Sequence, residues 1–198
     1  MARLDTWALI RLMERNIRDI QTLIEAAFAG IRRDEDCTLH QGQFRDTFGD
    51  FDTTEAEWNC QYDAEKLRDP ETDWRDVPTA AIDECDCAQS HLTPQGWCFY
   101  LPAYLRRALE LIDTDLWLPD SVVFHLRYEK SLGAHVSERF ELLNDAQQSA
   151  VIAFLEFVRD YARGKDRQRF EGAALALKSY WTIPANDRPT HRILLLDR

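Results

Sequence analysis

Apolar residues return at helical spacing through the first thirty positions. Leu9, Met13, Ile17, Ile20, Ile24, the adjacent pair Ala27 and Phe28, and Ile31 follow at steps of three or four. A helix over about 4–31 gathers them on one face. Gly30 and the charged run from Arg32 to Asp36 end it, and the next stretch, holding Gly42 and Gly49, reads as a polar connection. Thr54-Glu55-Ala56-Glu57 sets a hydroxyl three residues before a Glu, the capping-box pattern. It predicts a helix to about Arg68, with Trp58 and Tyr62 four apart on one row and Glu65 next on it.

Asp69 to Asp73, with Pro70 inside, is a turn, and Pro78 opens a short helix through about Cys85. Thr93-Pro94-Gln95-Gly96 reads as a second turn, followed by a helix from Phe99 to Ile112 with Pro102 in its first turn. Val122 to Tyr128 favours a strand by propensity, with a short helix as the alternative among helical neighbours. Asn144-Asp145 caps a helix through Tyr161, whose buried stripe is Val151, Phe154, Leu155, Val158 and Tyr161. Gly164-Lys165-Asp166 interrupts the chain. A last helix over Gln168 to Trp181 places Phe170, Ala174, Leu177 and Trp181 on one face. The expected architecture is mainly α: a single-domain irregular helical bundle over residues 1–182, then a tail, 183–198. In that tail Ile193 to Leu196 forms a short strand or an arm.

The composition suits such a bundle. With 198 residues, 45% of them hydrophobic, and six Trp, the chain has enough apolar surface for one core. No run approaches the roughly 18 apolar residues of a membrane span. The N-terminal residues lack the apolar core of a signal peptide, so the expected compartment is the cytoplasm, with no membrane partner. Five cysteines (Cys37, Cys60, Cys85, Cys87 and Cys98) are an odd number and read as reduced thiols.

Charge changes the picture more than composition does. The net charge is -11, which disfavours nucleic acid as a ligand, because phosphate binding needs a basic face. Residues 34–86 hold 17 acidic and 4 basic side chains, leaving the rest of the chain at +2. This acidic segment also carries Phe44, Phe48, Phe51, Trp58, Tyr62 and Trp74. It reads either as a solubilising face or as a docking surface in which aromatic anchors sit within a charged rim.

Signatures of catalysis are missing. There is no phosphate-cradling glycine loop, no H-E-x-x-H and no G-x-S-x-G elbow. His125 lies in an apolar run and reads as a core histidine with a satisfied hydrogen bond. His135 and Glu138, three apart, are a weak base–orienter candidate. Asp50-x-Asp52 and Asp113-x-Asp115 are weak cation motifs. Cys85, Cys87 and His91 lack the C-x-x-C spacing of a zinc site. No catalytic residue, metal ligand or cofactor is assigned.

The block Leu92-Thr93-Pro94-Gln95-Gly96-Trp97-Cys98-Phe99-Tyr100-Leu101-Pro102-Ala103-Tyr104-Leu105 resembles the LTPxGxxFYLPAYL-like signature of a bacterial family, domain of unknown function 6714. Weaker blocks agree in order: Ile24 to Phe28, Trp74 to Pro78, Glu138 to Phe140 with Gln147 to Leu155, and Ala174 to Trp181. Gln95 stands where the family usually has Glu. The resemblance covers about residues 17–181 and implies a small, mainly helical cytoplasmic domain without implying a reaction.

These observations lead to the expectation of a non-enzymatic binding protein. The specific form expected is an immunity protein that neutralises a secreted bacterial toxin domain by covering its basic active-site cleft. The expected contacts are Asp46, Asp50, Asp52, Glu55, Glu57, Trp58, Tyr62, Asp73, Trp74 and Asp76. An enzyme of unrecognised type, metal-dependent or not, and an adaptor or regulatory module are the alternatives.

Overall fold

The computed structural model describes residues 6–33, 37–47, 54–129 and 133–189, with side chains at all of these except 6–12 and 133–135. The helices are α1 (Thr6–Ala27), α2 (Leu39–Thr47), α3 (Glu55–Lys66), α4 (Thr79–Glu84), α5 (Pro94–Glu110), α6 (Leu118–His125), α7 (Gly133–Glu141), α8 (Asp145–Ala162) and α9 (Arg167–Ala176). Single 3-10 turns stand at Trp74–Asp76, Ala88–Ser90 and Ala185–Asp187, and α9 runs on into a wide π turn, Leu177–Trp181. No strand occurs among the described residues. None of the described helices is long and apolar enough to cross a membrane.

The centre of the molecule is α5. Its N-terminus is built locally: the Thr93 hydroxyl accepts from the Gly96 N–H at 3.0 Å, and Pro94 occupies the first turn, where a missing N–H costs little. The helix therefore starts at Pro94, five residues before the expected Phe99. Pro102 consequently lies in its interior, where it deprives the Cys98 carbonyl of its usual donor. Burial is nearly continuous from Gly96 to Leu105, so α5 is covered on all sides. α1, α4, α6, α7 and the Trp74 turn pack around it. A second layer, α8 with α9, leans on α1 and on α6.

One other expectation changes, and one open alternative is resolved. Residues 39–47, read as a polar connection, form α2. Residues 118–125 form α6, because the β-branched Val122 and Val123 pack among helices and tertiary context overrides strand propensity. On α9 the buried face is Arg169, Ala173 and Ala176, continued by Leu177, Tyr180 and Trp181, while Phe170 and Ala174 are half-buried. The opening of the tail is tied to the body by Arg188, whose guanidinium donates to the carbonyls of Ile183 and Trp181 and to Gln148 Oε1. The expected strand or arm at Ile193–Leu196 lies outside the described residues.

Candidate functional site

Helix α3 begins with the predicted capping box. The Thr54 hydroxyl accepts from the Glu57 N–H at 3.3 Å, and the Glu57 carboxylate accepts from the Thr54 N–H at 3.0 Å. The Thr54 hydroxyl also donates to the Glu57 carboxylate at 2.7 Å, and this bond, with that from the Thr54 backbone N–H, holds the Glu57 carboxyl below its usual range. Trp58 and Tyr62 then stack with centroids 4.7 Å apart and planes 15° from parallel, and both rings tilt against Phe44 of α2. The aromatic row thus faces inward and joins α3 to α2. It is a packing seam, half-buried, and not a set of free anchors.

The remaining expected contacts divide by neighbourhood. Trp74 is 0% exposed and donates its indole N–H to the Phe28 carbonyl at 3.0 Å. It is a core residue, so a partner cannot reach it in this fold. Asp46 pairs with His91 at 3.2 Å. Asp73 pairs with Arg75 at 2.9 Å, and the Arg75 backbone N–H is the main cause holding its carboxyl low. Asp50 and Asp52 lie outside the described residues. Glu55 and Asp76 are exposed and make no ion pair among the described residues.

Local arginines answer much of the rest of the acidic segment. Arg68 bridges Glu65 at 3.0 Å and Glu84 at 2.7 Å, and Arg107 bridges Asp83 at 2.7 Å and Glu110 at 3.0 Å. Such exposed pairs contribute little to stability, but they dilute the field that the sequence count suggests. What stays open is the outer side of α3. This helix buries none of its residues. Ala56, Cys60, Ala64 and Leu67, spaced four, four and three apart, are all exposed, Leu67 at 83%. Exposed Glu57 and Asp63 flank this stripe.

Beneath α3 lies a buried ionisable pair that the charge count did not single out. Asp69 accepts from the His40 backbone N–H at 2.8 Å with one oxygen and meets His40 Nδ1 at 2.6 Å with the other. His40 Nε2 faces Glu84 at 3.8 Å across a cleft of about 180 Å3 that Phe44, Glu65 and Arg68 also line. The bond to Asp69 raises the imidazole pKa above its ordinary 6.5. Burial pushes the Asp69 carboxyl up, but the His40 bonds outweigh it and leave it low. The pair clamps the N-terminus of α2 to the turn after α3. The missed signal was local: Thr38-x-x-Gln41 has the capping-box spacing, and Gln41 Oε1 accepts from the Thr38 N–H at 3.0 Å.

The other candidates are placed as follows. Cys85 is buried, Cys87 is half-buried with its thiol pushed up to about 11 by burial, and His91 turns to Asp46. Among the described residues no group of three His, Cys, Asp or Glu converges to hold a metal ion. Glu138 is exposed, and the side chain of His135 lies outside the described residues.

Residues 16–185 match the family model described as Family of unknown function (DUF6714). No curated protein and no solved structure matches the chain.

Proposed function

We propose that this chain, which belongs to the Family of unknown function (DUF6714), is a non-catalytic binding protein that docks a cationic protein through the outer face of α3. The observation that carries this reading is that α3 buries none of its twelve residues. A short helix is marginal in water without tertiary packing. One held to the body along its α2 side, by the aromatic seam and the Gln41 bond to the Tyr62 carbonyl, has its outer face free for another surface. The apolar stripe of Ala56, Cys60, Ala64 and Leu67 supplies contact area there. Glu55 and Asp63, with Asp76 and Glu71 in the following segment, are carboxylates without an internal cation among the described residues.

The partner chemistry follows from charge. A net charge of -11 repels nucleic acid and attracts a basic protein cleft. An immunity protein that plugs the basic active site of a bacterial toxin in the cytoplasm fits this description. The contacts proposed from the folded structure are narrower than those expected from sequence: Glu55, Glu57, Asp63 and Asp76 around the α3 stripe.

The test uses the product of the gene adjoining this one, purified with its active site inactivated. Association is followed by stopped flow at low and high salt for the parent and for the E55K/D63K/D76K variant. The parent should associate faster at low salt by about tenfold or more and lose that advantage as salt rises. Equal rates, or a neighbouring gene that encodes no basic toxin-like domain, would overturn the reading.

A further inference from the structure

A cavity of about 160 Å3 opens between the Ala88–Ser90 turn, the end of α6 and α7. Its walls are mostly apolar, with Phe124 and Val136 on them, and Arg127 and Arg139 also line it. The two cations are unequally matched. Arg127 pairs with Glu129 at 2.8 Å. Arg139 is 3% exposed, and among the described residues its charge meets no carboxylate. Its Nη2 donates only to the carbonyls of Ser90 at 3.1 Å and Leu92 at 2.8 Å. The Nε–H groups of both arginines are buried and lack an acceptor among the described residues.

A buried cation without a counter-charge, beside unused donors, is strongly disfavoured in an apolar setting. Burial accordingly pushes Arg139 down to about 10, well below an arginine's ordinary value. The neighbouring polar pair is already satisfied. His125 Nδ1 donates to the Ser121 carbonyl at 2.8 Å, so its Nε2 accepts from the Ser90 hydroxyl at 2.9 Å. Burial holds this imidazole neutral, with its pKa lowered to about 4. Ser90 and His125 therefore add no opposing charge to the cavity. Counting Arg127, Arg139 and Glu129, the described lining carries one positive charge in excess.

We propose that this cavity is a binding site for a small monocarboxylate with a compact apolar body. The carboxylate pairs with the guanidinium groups of Arg139 and Arg127, and the body lies against Phe124 and Val136. A guanidinium is suited to this because its fork of donors matches a carboxylate. The volume limits the ligand to about the size of one ring or a short chain, since an apolar cavity of roughly 150 Å3 accommodates benzene. The site is separate from α3, so its occupancy and the docking reading stand or fall independently.

The probes are benzoate and hexanoate, with benzamide and hexanamide as neutral matches, titrated against the full chain by calorimetry and ligand-observed NMR. The acids should bind saturably and the amides roughly tenfold more weakly or worse, as expected when a charge-assisted hydrogen bond is lost. R139Q removes the cation but also two internal bonds, so V136F is tested beside it, filling the cavity while leaving every Arg139 bond in place. Loss of benzoate binding in V136F, with the melting temperature of the parent retained, supports the site. Equal binding of acids and amides, unchanged benzoate binding in V136F, or no saturable binding of either acid overturns it.

Discussion

The two carboxylate oxygens of Asp69 hold His40 twice, the backbone N–H at 2.8 Å and the ring Nδ1 at 2.6 Å. One side chain from the turn after α3 thereby fixes both the first turn of α2 and the rotamer of a buried histidine. The imidazolium form is favoured by this contact, so its contribution is fully present below the ordinary value of 6.5 and is lost as pH rises through the raised folded value. The carboxylate contributes above its ordinary 3.8 and loses that contribution as pH falls through its lowered folded value. D69N should therefore destabilise by about 2 kcal/mol near pH 5 to 6, and the deficit should narrow, without vanishing, toward about pH 9. Urea unfolding of parent and variant across that range measures it. A deficit independent of pH would show that no charged pair forms.

Trp74 separates the two readings of the acidic segment. As a partner anchor its loss would weaken binding and spare stability. Buried at 0% with its indole bonded to Phe28, its loss opens the core beside α1 and α5. W74A should cost about 3 to 5 kcal/mol in unfolding free energy. W74F should cost less, about 1 to 2 kcal/mol, chiefly for the lost indole bond, since the Phe28 carbonyl still accepts from the Ile31 N–H. Chemical denaturation of both variants decides the matter, and an unchanged midpoint for W74A would contradict the buried placement.

The two capping boxes have the same local chemistry and different surroundings. Asn144 and Gln147 cap α8, whose stripe from Ala150 to Val158 is core. Thr54 and Glu57 cap α3, which buries nothing. N144A should lower global stability by about 1 kcal/mol. T54A should leave the global midpoint nearly unmoved while amide exchange quickens along α3 alone. Exchange mass spectrometry with urea melts distinguishes the two, and equal global losses would mean that α3 is part of the cooperative unit.

Gly42 stands in a helix where alanine is normally the better residue. A Cβ there would lie 3.1 Å from the Ala88 carbonyl oxygen and 3.3 Å from both Ala88 Cβ and Leu92 Cδ2. The helix-propensity gain is about 1 kcal/mol. Crowding backbone and buried side chains costs about 1 to 3 kcal/mol. G42A should therefore be destabilising on balance, by about 1 kcal/mol, in thermal unfolding. A stabilised variant would show that the Ala88 turn yields.

Local signals were legible at the Thr54 and Asn144 caps, where an apolar periodic run follows, but not at Thr38 and Gln41, whose equal spacing has no such run behind it. The Thr54–Glu57 and Asn144–Gln147 boxes are three-residue patterns, and α1, α5 and α8 carry enough apolar periodicity to stand out. Helix α2 was not legible, because only Leu39 and Phe44 are apolar on a buried face that also holds His40, Gln41 and Gly42. His40 is buried against Asp69, 29 residues later, and Gln41 donates to the Tyr62 carbonyl, 21 residues later. Arg169 shifted the face of α9 for the same reason. Polar by composition, it is buried because Asp120 and the Ile112 carbonyl lie some fifty residues earlier in the chain and adjacent in space.

The sequence alone determined that this chain is helical, that it has apolar surface for one core, and that its negative charge is concentrated in a single segment. Those properties are set by local spacing and by counting. Tertiary structure decided which acids are answered by arginines, that Trp74 belongs to the core, that the outer face of α3 is open, and that Arg127 and Arg139 meet in one cavity. Each of those depends on desolvation and on partners distant in sequence, and burial acquires a value only when the chain has closed around the residue.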